Sequence, residues 1–147
     1  MDLATSIAEL DTEANALTCA GMTNALAIRD TTERLEKHMK SLPNALGMAD
    51  FPLRHMFGDG TYIRQVFLPA GTLIVGRRHK QNHYAMVTLG EVSIFCEQEI
   101  TRFRGPRLWW SPKGTKRVVY AHEDSLFFTI HGTHERDPEK LMQELTE

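Results

Sequence analysis

The sequence predicts a mainly β protein: a sandwich or barrel of short strands, with a helical arm before it and one short helix after it. Three observations carry that reading. From residue 61 to residue 131, apolar and polar residues alternate in short runs, the period of a strand with one buried face. Turn signals cut those runs at regular intervals: Pro69-Ala70-Gly71, Leu89-Gly90, Gly105-Pro106, Pro112-Lys113-Gly114 and His122-Glu123-Asp124. On either side, residues 2–42 and 137–147 change to the helical period.

The elements follow in order. Leu3, Ile7, Leu10, Ala14 and Leu17 make a narrow apolar stripe, Ser6 with Glu9 is a capping box, and Gly21 ends the turn. Met22, Ala25, Ile28, Leu35, Met39 and Leu42 continue a second stripe, and Asp30 with Glu33 suggests a break near Arg29. Glu33 with Lys37, and Glu36 with Lys40, are favourably ordered pairs on the exposed side. Pro43-Asn44 stops this arm, which is expected either to dock a partner or to pack on its own domain. Residues 43–60 read as a connector ending in the turn Gly58-Asp59-Gly60. Strands are expected at 61–68, 72–78, 83–89, 91–97, 100–103, 107–111, 115–121 and 125–131. Asp137 then caps a last helix with Pro138 at its first position and Leu141 and Leu145 on one face. The domain plan is therefore a helical arm (1–42), a connector (43–60), a β-barrel (61–132) and a C-terminal helix (133–147).

Composition narrows the class. The chain has 147 residues, 41% of them hydrophobic and 24% charged, which suits one globular domain with one core. No run approaches the roughly 18 apolar residues of a membrane span. The acidic start, with no basic residue before Arg29, does not read as a targeting segment. Cys19 and Cys96 form no close motif and read as reduced thiols of a cytoplasmic protein. The net charge of −2 is unevenly spread: residues 100–122 carry six bases and no acid, whereas residues 1–36 and 123–147 each carry seven acids and two bases. Basic residues 102–117 are interleaved with Phe103, Trp109 and Trp110, yet the overall acidity weighs against nucleic acid and for a seam to the acidic helices. Of adjacent Trp109 and Trp110, one points in and one out.

The chemistry concentrates in residues 71–90. Counting by twos, Leu73, Val75, Arg77 and His79 share a face, as do His83, Ala85, Val87 and Leu89. If both stripes face inward, His79 and His83 meet at the mouth of one pocket, and imidazole is a common ligand of divalent transition metals. His55, His122 and His131 are available to complete a site, with His122 expected on the opposite face or in a turn. The run His131-Gly132-Thr133-His134-Glu135 fails as a helical metal motif because Gly132 interrupts it. Arg77 and Arg117 offer the same pocket two guanidiniums suited to a carboxylate or phosphate.

These turns and strands resemble the cupin family. Gly71, His79, His83 and Gly90 stand in the arrangement of its first motif, and Gly105 with Pro112-Lys113-Gly114 in that of its second. The resemblance covers residues 60–132 and implies a small double-stranded β-helix, or jelly-roll barrel, with any site inside its mouth. It departs at the ligands. His83 stands where the family usually has glutamate, and Arg77 and Arg117 stand where it has histidines, so two of four usual metal positions remain. More narrowly, the segments P-L-R-H, H-K-x-x-H and G-T-K-R-V-V-Y-A-H-E-D resemble short cupin-domain proteins of tailed bacteriophages, which implies a viral context. Together these readings favour a non-catalytic structural, assembly or docking protein. It would be cytoplasmic or virion-associated, forming homo-oligomers or meeting other virion proteins through residues 1–42. The alternatives are a metal-dependent cupin enzyme using one divalent transition metal on His79 and His83, and a binding module for a small anion at Arg77 and Arg117.

Overall fold

The computed structural model of the chain describes residues 25–97 and 99–147. The expected stripe of residues 3–17, the capping box at Ser6, the turn at Gly21 and Cys19 lie outside the described residues. Among the described residues, nine strands form two antiparallel sheets. The first sheet runs in the order β1 (Leu53–Gly58), β2 (Thr61–Leu68), β9 (Ser125–Gly132), β4 (His83–Leu89) and β7 (Arg107–Ser111). The second runs β3 (Leu73–Val75), β8 (Val118–Ala121), β5 (Glu91–Cys96) and β6 (Glu99–Arg104). From β2 onward the chain passes repeatedly from one sheet to the other, so that the two sheets are wound together. Val66, Leu68, Ala85, Val87 and Phe127 of the first sheet meet Val92, Ile94, Cys96, Val119 and Ala121 of the second in one buried core.

Helix α1 (Ala25–Ser41) lies on the outer face of the second sheet. Ile28, Thr32 and Leu35 recur at helical spacing and are buried, with Ile28 and Leu35 packed on Leu73, Phe95 and Val118. That continuous contact carries the helix through Arg29, where the sequence suggested a break. Its residues 25–41 therefore pack on their own domain. Glu36 pairs with Lys40 at 2.8 Å as expected and also with Lys116, whereas the Glu33 carboxylate sits 3.9 Å from Arg78. At the other end α2 (Pro138–Leu145) is capped by Asp137, whose carboxylate accepts from the Glu139 and Lys140 N–H groups at 2.9 and 3.2 Å. Leu141 and Leu145 are buried on Tyr62.

Three expectations are corrected. Residues 43–60 are more than a connector: β1 lies within them. Its one-sided, half-exposed pattern at a sheet edge hid it from the alternation rule. The strand expected at 72–78 is only Leu73–Val75, and its parity is reversed: Leu73 and Val75 face α1, while Ile74 faces the barrel core. Leu89 leaves the inward stripe of His83, Ala85 and Val87 and is 54% exposed, because the register slips at a bulge between Val87 and Leu89. The basic run is also paired differently from expectation. Arg102 and Arg104 bind Glu91 and Glu123 on the barrel itself, and Lys116 reaches Glu36 of α1. Trp109 points into the core and Trp110 is 53% exposed beside Tyr84, as the alternation requires. No helix among the described residues is long and apolar enough to cross a membrane.

Gly90 joins β4 to β5 at a φ of +89°, and a Cβ there would lie 2.2 Å from Ser125 Oγ and 2.4 Å from the Asp124 carbonyl oxygen. Gly71, at φ +83°, has open space around the same position. Gly90→Ala is therefore expected to cost about 3 kcal/mol, from backbone strain plus overlap. Gly71→Ala should cost about 1 kcal/mol, from the left-handed backbone alone. Urea unfolding of the two variants measures the difference, and equal losses would contradict the close approach at Gly90.

Candidate metal centre

The inner face of the first sheet is laid down in rows by strand register. In the outermost row Tyr62 pairs with His131, and His83 pairs with Ser111. Because Tyr84 pairs with Ile130, His83 and His131 fall side by side on adjacent strands. The next row is Arg64, Thr129, Ala85 and Trp109, and the third is Val66, Phe127, Val87 and Arg107. The first row is thus imidazole and phenol, the second is polar with one guanidinium, and the third is largely apolar.

His79 joins the first row from outside the sheets, on the segment between β3 and β4. Its backbone N–H donates to the Thr115 carbonyl at 3.1 Å, and its carbonyl accepts from the Gly114 N–H at 2.7 Å. The chain end braces the same segment: His79 bridges Thr146, the Lys80 N–H donates to Leu145, and the Glu147 N–H donates to Arg78. Arg78 is tied in turn to Glu97 at 3.2 Å. Strand parity does not place His79; these braces do.

The three imidazoles stack, with ring centres 4.0 Å apart for His79 and His83, 4.6 Å for His83 and His131, and 5.2 Å for His79 and His131. Each offers one nitrogen to a group whose members all lie within 4.8 Å of one another. His83 Nδ1 is 3.3 Å from the Gln81 carbonyl, which only an N–H can meet, so Nε2 carries the lone pair. That Nε2, with His79 Nδ1 and His131 Nδ1, is buried without a hydrogen-bond partner. Three unsatisfied buried nitrogens at one point are an arrangement that a bound ion would satisfy. The carbonyl behind His83 is the kind of outer contact that orients a ligating imidazole.

All three rings are held neutral. Burial is the main cause, pushing His79 down to about 2, His131 to about 3 and His83 to about 4. Neighbouring guanidiniums, and the repulsion that would follow from charging adjacent rings together, add to it. His83, His131, Arg117 and Arg64 act on His79, Arg117 acts on His83, and His83 and Arg64 act on His131. Beside the cluster opens a cavity of about 320 Å³. Arg64, Arg117, Thr129, Val66, Val119 and Phe127 line its interior, and Arg77 stands exposed on its wall.

Of the residues singled out from the sequence, His79 and His83 come together, and Arg77 and Arg117 border the same cavity. His131 completes the triad, although the motif that contains it is no helical metal site, and His134 takes no part. His122 lies apart in a turn, bonded to Ser93 Oγ at 2.7 Å. His55 on β1 bonds the Tyr62 hydroxyl at 2.7 Å, behind His131. Arg64 was not foreseen. Its signal was present, since Tyr62, Arg64, Val66 and Leu68 share a face of β2, but an arginine on an apolar stripe reads as a strand edge until the register is known.

No protein-family model and no curated protein matches the sequence. Solved structures do. KdgF from Halomonas sp. superimposes with a TM-score of 0.52 at 17% identity, over 62% of this chain and 85% of that one. The barrel is a double-stranded β-helix. An RmlC-like cupin of that fold from Methanocaldococcus jannaschii gives a TM-score of 0.49 at 17% identity, over 62% of this chain and 84% of that one. An acetylacetone dioxygenase from Acinetobacter johnsonii gives 0.47 at 12% identity, over 59% and 70%. At these identities the likeness is one of fold. The fold expected from the sequence is the fold observed, with helices at both ends.

The buried histidines carry a pH signature. Their folded pKa values lie below the ordinary 6.5, so as pH falls below 6.5 the unfolded chain takes up protons that the native barrel refuses. Their contribution is present above pH 6.5 and is lost progressively toward the folded values of about 4 to 2. Metal-free protein is therefore expected to melt at a lower temperature at pH 5 than at pH 7.5. The shifted carboxylates Glu36, Glu91, Glu123 and Glu135 titrate below that window. Calorimetry in chelator-containing buffers tests this, and a flat profile would contradict neutral, buried imidazoles.

Proposed function

We propose that the barrel is a metal-dependent site for a small molecule, with His79, His83 and His131 holding one divalent transition metal beside the cavity. The observation that carries this reading is the set of three buried, unpartnered imidazole nitrogens facing one another. Neutral rings are the form that binds a metal, and three protein ligands leave coordination positions open, as a catalytic rather than a structural site does. The metal would supply a Lewis acid. The chain supplies the rest: Arg64, Arg77 and Arg117 bring positive charge to an incoming molecule, and Val66, Val119 and Phe127 give it a dry wall. The anion-binding role drawn from Arg77 and Arg117 thus shares one cavity with the metal role.

The assembly or docking role expected from the sequence rested on the loss of two metal ligands together with the amphipathic arm. A third histidine from β9 answers the first of these grounds. The viral setting and the partners of residues 1–42 therefore stay outside this proposal.

The test is metal content per chain on protein purified without an affinity tag. Wild type is expected to carry or take up close to one equivalent of a transition metal such as zinc, manganese or iron. His83→Ala and His131→Ala are each expected to lose at least tenfold in affinity. Absence of binding in wild type on titration with all three metals would overturn the proposal. Retention by His131→Ala would overturn the triad.

A further inference from the structure

The cavity is short of negative charge. Arg64 Nε is buried and makes no hydrogen bond, and no carboxylate pairs with Arg64 among the described residues. Trp109 Nε1, in the same row, and Ser111 Oγ, beside His83, are also buried without partners, on strand β7 outside the cavity lining. Arg117 lies behind them with its guanidinium 5.9 Å over the Trp109 ring. The one acid at the cavity, Glu36, is already engaged by Lys40 and Lys116. The protein thus places the Arg64 guanidinium close to neutral imidazoles with no carboxylate of the described residues beside it.

A buried arginine without a partner is expensive to keep, because desolvation is not repaid by an ion pair. Burial, helped by the Arg77 charge nearby, pulls Arg64 below its ordinary pKa. Two other largely buried cations are paired, Arg78 with Glu97 and Lys116 with Glu36, and Arg64 differs from them. The exception therefore points to a ligand. A divalent ion on three neutral histidines would add two more positive charges to the same space. Electroneutrality then calls for an anion that touches both.

We propose that Arg64, with Arg117, is the carboxylate anchor of a small organic acid whose neighbouring oxygen faces the histidine cluster. The proposal rests on the metal reading for its second contact, but not for the anchor itself. Carboxylate fits better than phosphate. The guanidinium row borders the apolar row of Val66 and Phe127, so the ligand needs a compact planar head and an apolar body, within about 320 Å³. Arg77, exposed on the cavity wall, is a guide for the approaching anion rather than part of the anchor.

The experiment is thermal unfolding of wild type, Arg64→Met and Arg64→Gln, with malonate, phosphate or sodium chloride at matched ionic strength. Each is run in chelator and again with one equivalent of zinc. With no added anion, Arg64→Met is expected to melt above wild type, since an apolar side chain of similar length replaces an unpaired buried charge. Malonate is expected to raise the wild-type melting temperature by roughly 5 °C at saturating concentration, more with zinc than without, and to leave both variants unmoved. Arg64→Gln keeps the readout if the methionine variant does not fold. A wild type unmoved by malonate, or equal malonate shifts in wild type and variants, would overturn the anchor. A methionine variant that melts below wild type would make Arg64 structural and overturn it too. An equal shift with phosphate would overturn the carboxylate class. Failure of the metal reading shows separately, as absent zinc uptake with the malonate shift in chelator intact.

Discussion

Strand β9 is the member on which the site depends. It hydrogen-bonds to β2 along its whole length and to β4 along most of it, so three strands share one register. Every second residue of β9 is buried, and sliding it by one position would turn His131, Thr129 and Phe127 to solvent and bring Ile130 and Phe128 inward. Apolar burial in the third row therefore fixes where the imidazoles of the first row stand. The constraint is cheap to maintain: the core of Val66, Val87 and Phe127 is needed for folding in any case.

The contrast between the two sides of the barrel wall is electrostatic. Outside, cations and carboxylates meet in exposed pairs such as Arg102 with Glu91 at 3.1 Å, which water screens. Inside, Arg64 and Arg117 border the cavity beside neutral histidines, and Arg64 Nε has no hydrogen-bond partner. A polar group left unsatisfied is tolerable at the surface and costly within. The second helix and the chain end border the same cavity: Leu141 and Leu145 pack on Tyr62, while Leu145 and Thr146 brace the segment that carries His79. A single short helix thus both lines the cavity and helps to position a candidate ligand.

Most of the barrel was legible because its strands obey the two-residue alternation and its turns are marked by glycine and proline. The C-terminal helix was legible from one aspartate and one proline. Edge strand β1 was not, since a strand with a half-exposed pattern has no clear period. The inward direction of residues 73–79 was misread because β3 stops at Val75 and parity does not survive the irregular backbone before His79. His79 and His83 were nevertheless found, because a tight connection between strands keeps residues four apart close together. His131 stands 48 residues from His83, and such a contact depends on sheet order, which local pattern does not encode. Arg64 was missed for the same reason. An arginine on a strand is informative only when its neighbours across the ladder are known.

Adjacent Trp109 and Trp110 report on opposite sides of the same wall. Trp109 stands edge-on to Phe103 and Phe127 with the Arg117 guanidinium over its ring, whereas Trp110 is half exposed beside Tyr84. Their fluorescence separates accordingly. A dissolved quencher extinguishes Trp110 first, and the blue-shifted emission that survives comes from the indole touching the cavity cation. The molecule therefore carries a built-in optical probe of its own interior, readable in dilute solution with no label attached.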